Sequence, residues 1–473
     1  MPATLVAGIL LMGYVRGEAK GQGALFPVSL DELVPADHVC RVIEAFAAQL
    51  ELSALGFSKA EPAATGRPAY DPADLLKLYL YGYLHQVRSS RRLERECQRN
   101  VEVMWLLGRL APDHKTIAEF RRCEGRALRS ACAAFVRLLR AAGVVGGEWV
   151  AIDGSKFQAV ASPNAVLWEE DLPGERARLE RQMGEYLASL DAADATDTIV
   201  APDVAAVRAA LQLLEQQRAN VAVGRARGEL EARLMRGQSA PSYNVQAAVD
   251  AAHGVIVAHA VTDEASDNRS LQPMAEAAQA ALDATNLNVL ADAGYSNGAQ
   301  ASALEARGIV PHVPANRSAN TQGDGTLLDR SAFQYDPEAD RYHCPGGAFL
   351  APRQRQTGKQ RTLYAARACD CARCVLKPHC TTGARRFVAR HWHDEALLRM
   401  QARATPERMR LRSAIAERPF AELKYRIFER PRFLLRGRWG AGTELTLAVL
   451  AYNFKQALRA IGTLGLTARL VPG

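Results

Sequence analysis

The order of predicted strands and helices after residue 146 restricts the fold more than any other feature of the sequence. An alternating run within 146–162 predicts an opening strand, and two more alternating runs flank a turn at Asp250–Gly254, as in a β-hairpin. A helix over "LQPMAEAAQAAL", a strand over "LNVLADAGY", a helix over "SNGAQASALEARG" and a strand over "IVPHVPA" follow. This order predicts an α/β fold in which helices flank a mixed sheet.

The first and fourth of these strands each stop on an aspartate. They are Asp153 in "WVAIDGSKFQ" and Asp292 in "LNVLADAGY". One explanation for Asp153 is a turn cap, because Asp-Gly is common in turns. In a mixed sheet of ribonuclease H type, however, the first and fourth strands are neighbours, so both carboxylates would meet at one edge. Asp267, in "EASDNRS", is interpreted as a helix cap, with a supporting role at that edge as the alternative.

Residues 1–145 are predicted to form short helices joined by short turns. The clearest helix, "YDPADLLKLYLYGYL", begins after Asp71 as its N-cap. The following "SSRRLERE" carries Arg91, Arg92 and Arg95 on a short helix, where they can face DNA together. A helix-turn-helix-like DNA reader and a plain helical bundle with a charged surface both agree with this pattern.

Two segments interrupt the predicted sheet. Residues 163–240 contain two Ala/Leu/Glu/Arg-rich helices, interpreted as an inserted helical hairpin. Residues 316–394 are rich in Cys, Gly and Arg and show little periodicity. A long helix starting at Thr405 and an apolar helix over "ELTLAVLAYNFKQALRAIG" close the chain. The predicted catalytic core therefore consists of residues 146–162, 241–315 and 395–465.

Five of the nine cysteines lie between Cys344 and Cys380. Cys371 and Cys374 have the spacing of a metal knuckle, and Cys344 and Cys380 could complete a four-sulfur, zinc-ribbon-like site for a structural Zn²⁺ ion. Cys369 would then be the spare cysteine. The alternative is a set of reduced thiols in a loop-rich insertion. Without a clear signal peptide, this cysteine usage predicts the reducing cytoplasm.

The charge distribution favours a polyanionic partner. The net charge is +8, and two stretches carry most of the excess: thirteen Lys/Arg against six Asp/Glu over 88–140, and eleven against four over 403–438. Solvated helix faces are the usual origin of such runs, but two in one basic chain favour contact with a phosphate backbone. No membrane partner is expected, since the N-terminal "TLVAGILLMGYV" is too short to span and is predicted to be buried.

Several blocks carry a family resemblance. "VAIDGSKF", "YNVQAAVDAAHGVIVAHAVTD", "LADAGYSNG" and "ERPFAELK" resemble the successive blocks of DDE-type bacterial insertion-sequence transposases. "GRPAYDPADLLKLYLYGYL", "SSRRLERE" and "PDHKTIAEFRR" resemble the helical domain that precedes the catalytic core in one branch of that family. The blocks occur in the family's order along nearly the whole chain. Ala421 departs from the glycine that relatives often have there, and alanine suits a helix.

The resemblance implies an RNase H-like core and a catalytic triad of Asp153, Asp292 and Glu417. These carboxylates would bind two Mg²⁺ ions, with Mn²⁺ as a substitute, because hard cations prefer oxygen ligands. Lys424, seven residues after Glu417, is expected to contact DNA, and Lys156 is a further candidate for such a contact. Relatives have a similar cysteine-rich insertion between the second aspartate and the glutamate.

The implied function is transposition. The protein would bind the terminal inverted repeats of its own element, hydrolyse a strand to expose a 3′-OH, and use that hydroxyl to attack target DNA. A homodimer or larger assembly on double-stranded DNA is expected, acting at the nucleoid in a bacterial cytoplasm. The alternatives are a catalytically inactive or repurposed DNA-binding protein of the same fold, and a metal nuclease that lacks strand transfer.

Two glutamates, Glu417 and Glu422, compete for the third position of the triad. At about 100° per residue they differ by roughly 140° around a helix, so only one can face the metals. Lys424 lies on the same helix face as Glu417. Glu422 is predicted to form ordinary surface ion pairs with Arg418 and Arg426, four residues to either side.

Overall fold

The N-terminal region is helical, as predicted. The computed structural model describes residues 29–62, 68–195, 204–315 and 327–470, so "TLVAGILLMGYV" lies outside the described residues. The helices are α1 (Val39–Ala48), α2 (Leu52–Leu55), α3 (Pro72–Leu84), α4 (Ser90–Arg99), α5 (Val101–Leu106), α6 (His114–Cys123) and α7 (Gly125–Ala141). The predicted cap at Asp71 is confirmed, because its side chain accepts a 2.8 Å hydrogen bond from the backbone N–H of Ala73.

A large mixed sheet follows. Its strands are β1 (Trp149–Gln158), β2 (Arg225–Ala226), β3 (Glu229–Leu234), β4 (Pro241–Asp250), β5 (Ile256–Thr262), β6 (Leu287–Leu290) and β7 (Ile309–His312). Their order is β2-β3-β4-β1-β6-β7, with β5 paired to β4. β1 runs antiparallel to β4 and parallel to β6. The first and fourth predicted strands are therefore neighbours, as expected.

The first strand differs from the prediction in where it ends. β1 does not stop at Asp153 but pairs with β4 along its length, from Val150 to Gln158. Its pairing with β6 ends earlier, at Ala151. The strand continues because β4 still supplies hydrogen bonds on one side after β6 has ended on the other. The turn-cap interpretation of Asp153 is wrong, and this residue instead lies where β1 loses one neighbour.

The segment 163–240 is only partly the predicted helical insertion. α8 (Leu172–Ala195) and α9 (Val204–Ala219) form the hairpin, joined by a 2.9 Å ion pair between Glu180 and Arg218. β2 and β3, which the prediction missed, then extend the large sheet. The charged composition of "RGELEARL" is not typical of a strand in a buried sheet, so these strands were not predicted. Glu229 is nevertheless buried there, and it accepts a 3.0 Å hydrogen bond from the Tyr243 hydroxyl.

The cysteine-rich segment has more regular structure than its weak periodicity predicted. It forms a second sheet of antiparallel strands in the order β12-β11-β10-β9-β8, with one short helix between the last two strands of the chain. The elements are β8 (Gln334–Asp336), β9 (Arg341–His343), β10 (Phe349–Gln356), β11 (Arg361–Ala365), α12 (Ala368–Ala372) and β12 (Phe387–His391). Most side chains of β10 are exposed, which removes the alternation that would have revealed the strand.

The remaining helices pack on the large sheet or beside it. They are α10 (Leu271–Leu282), α11 (Gly298–Glu305), α13 (Asp394–Arg403), α14 (Pro406–Glu422) and α15 (Gly437–Leu470). α14 begins next to its predicted start, with Thr405 as the N-cap, and a π-helical turn, Leu423–Ile427, follows it. No helix within the described ranges is long and apolar enough to cross a membrane.

A single hydrophobic core joins the N-terminal helices to the sheet. α15 packs against α1, α3 and α7 on one side and β5 on the other. Phe135 of α7 stacks on Phe454 of α15 with ring centroids 4.2 Å apart, and Phe46 of α1 meets both rings edge-on. The predicted boundary near residue 145 therefore does not separate two cores.

Candidate active site

The structure brings Asp153 and Asp292 together. Asp153 is on β1, just past the end of its pairing with β6, and Asp292 lies two residues after β6. Arg412 of α14 contacts both: its Nη2 is 2.9 Å from Oδ1 of Asp153 and 3.8 Å from Oδ2 of Asp292. Sequence reasoning missed Arg412, because nothing local to α14 distinguishes it from the other arginines of that helix.

The backbone holds one oxygen of each carboxylate. The N–H of Gly154 donates to Oδ1 of Asp153 at 2.8 Å. The N–H of Gly294 donates to Oδ1 of Asp292, also at 2.8 Å, so that Asp292 caps the short 3₁₀ turn Ala293–Tyr295. Each carboxylate thus has a defined orientation, which a metal ligand requires.

Burial and mutual repulsion both act on the carboxylates of this site. Burial raises the pKa of Asp153 to about 6, against the opposing effects of the Arg412 guanidinium and the Gly154 N–H, and the charges of Asp292 and Asp267 add to the rise. A cation placed between these carboxylates would relieve both their repulsion and their desolvation. Three neighbouring side chains with oxygen donors are therefore suited by their chemistry to a hard divalent ion.

Asp267 is the third carboxylate of this group, and its predicted role as a helix cap is wrong. It lies in the loop between β5 and α10, and the N-cap of α10 is Ser270. Oδ1 of Asp267 accepts 2.7 Å hydrogen bonds from Nδ2 of Asn244 and Nε2 of Gln246, both on β4. We call Asp153, Asp267 and Asp292 the carboxylate site.

One signal in the sequence could have found this group. Ser242, Asn244 and Gln246 alternate along β4, and all three are buried. Polar side chains at every second position of a buried strand need partners, which places a polar site against that face of the sheet. Gly154 allows the close approach: a β-carbon there would collide with the Gln246 amide and lie 2.7 Å from Oδ1 of Asp267.

Glu417 takes no part in the hydrogen bonds and ion pairs that connect the carboxylate site. It is exposed on α14, and within the described part of the chain it makes no hydrogen bond or ion pair. Glu422 is engaged elsewhere: its Oε1 is 2.6 Å from Arg459 of α15 and 3.9 Å from Arg418. The predicted pair with Arg418 is confirmed, but the second partner is Arg459 rather than Arg426, because α15 packs beside this turn of α14.

The two predicted DNA-contacting lysines lie near the carboxylates. Lys424, on the π-helical turn, is half-buried. Burial lowers its pKa and the charge of Asp153 acts in the opposite direction, which places the ammonium near that carboxylate. Its Nζ is 5.8 Å from the centre of the Phe157 ring. Lys156 on β1 has its Nζ 3.8 Å from Oδ1 of Asp267.

Arg91, Arg92 and Arg95 are exposed on α4, and we call them the arginine face. None of the three has a hydrogen bond or an ion pair to any residue that the structure describes. The opposite side of α4 is buried through Leu93 and Cys97, and the helix packs against α6. Three unpaired guanidinium groups are therefore presented to solvent within about one helical turn.

The four predicted zinc ligands line one small cavity of about 20 Å³. Sγ of Cys344 accepts a 3.4 Å hydrogen bond from the backbone N–H of Gly346. A β-carbon on Gly346 would lie 2.8 Å from Sγ of Cys374 and 3.7 Å from that of Cys344. Burial raises the pKa of Cys380, and the neighbouring thiols, including Cys371, add to the rise. The fifth cysteine of the segment, at position 369, is exposed and is not among the residues that line this cavity.

Two family models match the chain. The model described as "Transposase domain (DUF772)" matches residues 28–123, and the model described as "Transposase DDE domain" matches residues 235–454. The chain belongs to the DDE-type insertion-sequence transposases. The first match of this transposase covers α4 and its arginines. The second covers Asp267, Asp292 and Glu417, whereas Asp153 precedes it.

Other comparisons add one solved structure. It is described as "Cryo-EM structure of piggyBac transposase synaptic complex with hairpin DNA (SNHP)". The two proteins are 9% identical, and the match covers 91% of this chain and 75% of the other at a TM-score of 0.32. A search of curated proteins found no match.

Proposed function

We propose that this transposase binds the terminal inverted repeats of its own element and catalyses metal-dependent cleavage and transfer of DNA strands. One observation carries the proposal: Asp153 and Asp292 meet on neighbouring parallel strands and share the guanidinium of Arg412. The strand order β5-β4-β1-β6-β7, with only β4 antiparallel to its neighbours, agrees with an RNase H-like core. Carboxylates at this edge of such a sheet suit phosphodiester chemistry.

The residues present fit divalent metal ions. Asp153 and Asp292 would hold them through oxygens, which Mg²⁺ and Mn²⁺ prefer. A raised pKa at Asp153 and a cationic side chain between the two carboxylates both indicate that this position favours positive charge. Two Mg²⁺ ions bound there would activate the attacking hydroxyl and stabilise the leaving oxygen of a phosphodiester.

Glu417 remains our proposed third ligand. Its helix, α14, packs directly against β1, β4 and β6, the strands that border the carboxylate site. Its carboxylate is free of other partners in the described chain, whereas Glu422 is paired with Arg459. A π-helical turn follows α14 immediately, and the helix can change its register there. Such turns are frequent at functional sites.

DNA binding is assigned to two surfaces. The arginine face of α4 would contact phosphates of the element's ends, because its guanidinium groups have no hydrogen bond or ion pair within the described chain to give up. Lys424, beside Asp153, would contact the strand that is cut, and Lys156 would lie next to it. Because transposition joins two ends, we also propose a homodimer or larger assembly on DNA, acting at the nucleoid in the cytoplasm.

The cysteine-rich insertion is proposed to hold a structural Zn²⁺ ion between Cys344, Cys371, Cys374 and Cys380. Four sulfurs around one cavity, with a backbone N–H donated to one of them, support this proposal. The purified protein should contain about one zinc per chain, measured by elemental analysis. Cys374→Ser should lose that zinc and lower the unfolding temperature, while the matched Cys369→Ser should retain it.

Strand-transfer assays test the main proposal. DNA duplexes carrying the inverted repeats that flank this reading frame are incubated with protein, MgCl₂ and a supercoiled target plasmid. The expected products are a cut end with a 3′-OH and a joined end–plasmid species. Cut ends without a joined species would identify a nuclease that lacks strand transfer. A gel shift without cutting in either Mg²⁺ or Mn²⁺ would identify an inactive DNA-binding protein.

A further inference from the structure

We propose that Asp267 is a positioning carboxylate of the metal site: amides of β4 hold its Oδ1, and its Oδ2 is presented beside Asp292, where it strengthens divalent-metal binding. The inference rests on the proposed function. It adds to the triad a residue that follows β5 and belongs to none of the sequence blocks that carry the resemblance to the family.

A buried amide relay fixes Asp267. The Tyr295 hydroxyl donates to Oε1 of Gln246 at 2.5 Å, which turns the Gln246 amide nitrogen toward Asp267. The same nitrogen donates to Oδ1 of Asn244 at 3.0 Å, and Nδ2 of Asn244 also reaches Asp267. The relay is almost completely buried at Tyr295, Gln246 and Asn244, so its hydrogen bonds have one arrangement.

The relay also connects Asp267 to Asp292. Tyr295 ends the 3₁₀ turn that Asp292 caps, so one short turn carries both Asp292 and the tyrosine that orients the Gln246 donor of Asp267. A β-carbon on Gly294, inside that turn, would lie 3.0 Å from Oδ1 of Asp292 and 3.9 Å from Oδ2 of Asp267. Both carboxylates therefore border the same glycine.

Oδ2 of Asp267 is available for a cation. The hydrogen bonds and the ion pair of this side chain all go to Oδ1, and no described residue bonds to Oδ2. The relay alone does not require a charge, because an amide carbonyl oxygen would accept the same two hydrogen bonds. Lys156, whose Nζ is 3.8 Å from Oδ1, offsets part of the third negative charge beside Asp153 and Asp292, and a divalent cation at Oδ2 would offset the rest. We therefore assign the charge of Asp267 to metal binding.

Asp267→Asn separates the charge from the structural role. The side-chain carbonyl can replace Oδ1 and keep both hydrogen bonds, while the NH₂ group replaces Oδ2. The unfolding temperature without metal and the affinity for end DNA should remain those of the wild type. The Ca²⁺ concentration that gives half of the metal-induced thermal shift should rise about tenfold, and cleavage in Mg²⁺ should fall about 10- to 100-fold. Higher Mn²⁺ should restore part of the rate.

Three further variants make the outcome decisive. Glu264→Gln changes a nearby, partly exposed carboxylate that forms an ion pair with Arg269, and it should leave the Ca²⁺ midpoint unchanged. Asn244→Ala removes one donor but keeps the charge, and should shift the midpoint in the same direction by about threefold, within the range of such supporting contacts. A wild-type Ca²⁺ midpoint in Asp267→Asn overturns the inference. Cleavage by Asp153→Asn would instead overturn the proposed function, whatever Asp267→Asn does.

Discussion

The carboxylate site and the arginine face carry opposite charges and are built in opposite ways. Each carboxylate has one oxygen held by N–H donors. The arginines project from a short helix into solvent, with no partners among the residues that the structure describes. In the proposed function, the side chains that would bind metals are therefore oriented in advance, and those that would bind DNA are left free to adapt.

The physical reasons differ accordingly. A misplaced metal ligand loses coordination, so its orientation must be present before the metal and substrate arrive. Phosphate contacts tolerate several rotamers, because their free energy comes largely from counterion release and depends weakly on exact geometry. In the proposed function, ordering the arginines only on DNA binding would cost some side-chain entropy but would allow them to follow the backbone of the duplex.

The largest effect should come from Asp292→Asn. The amide keeps the shape of the side chain and can still accept the Gly294 N–H, but it is a poor ligand for Mg²⁺. Loss of several kcal/mol of transition-state stabilisation corresponds to about 10³-fold slower cleavage, or more. Single-turnover cleavage of end DNA measures this, and gel shifts should show unchanged affinity. A loss of DNA affinity as large as the loss of cleavage rate would mean that the carboxylate site also binds DNA, so that the two regions do not have separate roles.

The next effect concerns Glu417, the residue that the structure leaves outside the carboxylate site. Glu417→Gln should slow cleavage and strand transfer about 100-fold or more if the side chain joins the metals. The matched Glu422→Gln weakens the pair with Arg459 and should cost about 1 kcal/mol of unfolding free energy, with most activity retained. An inactive Glu422→Gln with an active Glu417→Gln would mean that α14 faces the site through its other side.

Replacing Arg91, Arg92 and Arg95 with alanine should weaken end binding about 10- to 100-fold near 0.15 M salt. The slope of log affinity against log salt should fall by about 2.7, or 0.9 per lost contact. Cleavage at saturating DNA should be close to wild type. Arg99→Ala is the control on the same helix, because Arg99 is already paired with Glu96 at 2.5 Å. An unchanged slope in the triple variant would place the phosphate contacts elsewhere.

The smallest effect is a pH-dependent gain in the unfolding free energy of Asp153→Asn over the wild type. The pKa of Asp153 is about 6 in the folded protein against 3.8 for an ordinary aspartate, so the folded state binds this proton more tightly. The resulting stabilisation is complete below pH 3.8 and is lost as the pH rises through about 6. Without metals, Asp153→Asn should therefore be more stable than wild type by about 1–2 kcal/mol at pH 7.5. The difference should vanish near pH 4 in thermal unfolding.

Local chemistry was enough for much of the fold and part of the site. The caps at Asp71 and Thr405 depend on residues two or three positions away, and the strand and helix periods depend on a few neighbours. The order of those elements then placed Asp153 and Asp292 on neighbouring strands. The exposure of the arginine face also followed from helical spacing, since buried Leu93 and Cys97 define the other side of α4.

Only the tertiary structure decided what surrounds those two aspartates. Arg412 is distant in sequence from both, and its contact exists because α14 packs across β1 and β6. Asp267 meets Gln246 because a loop folds back over β4, and Glu422 pairs with Arg459 because α15 lies beside α14. Such contacts depend on how elements far apart in the chain pack, and no period or cap in the sequence encodes that packing.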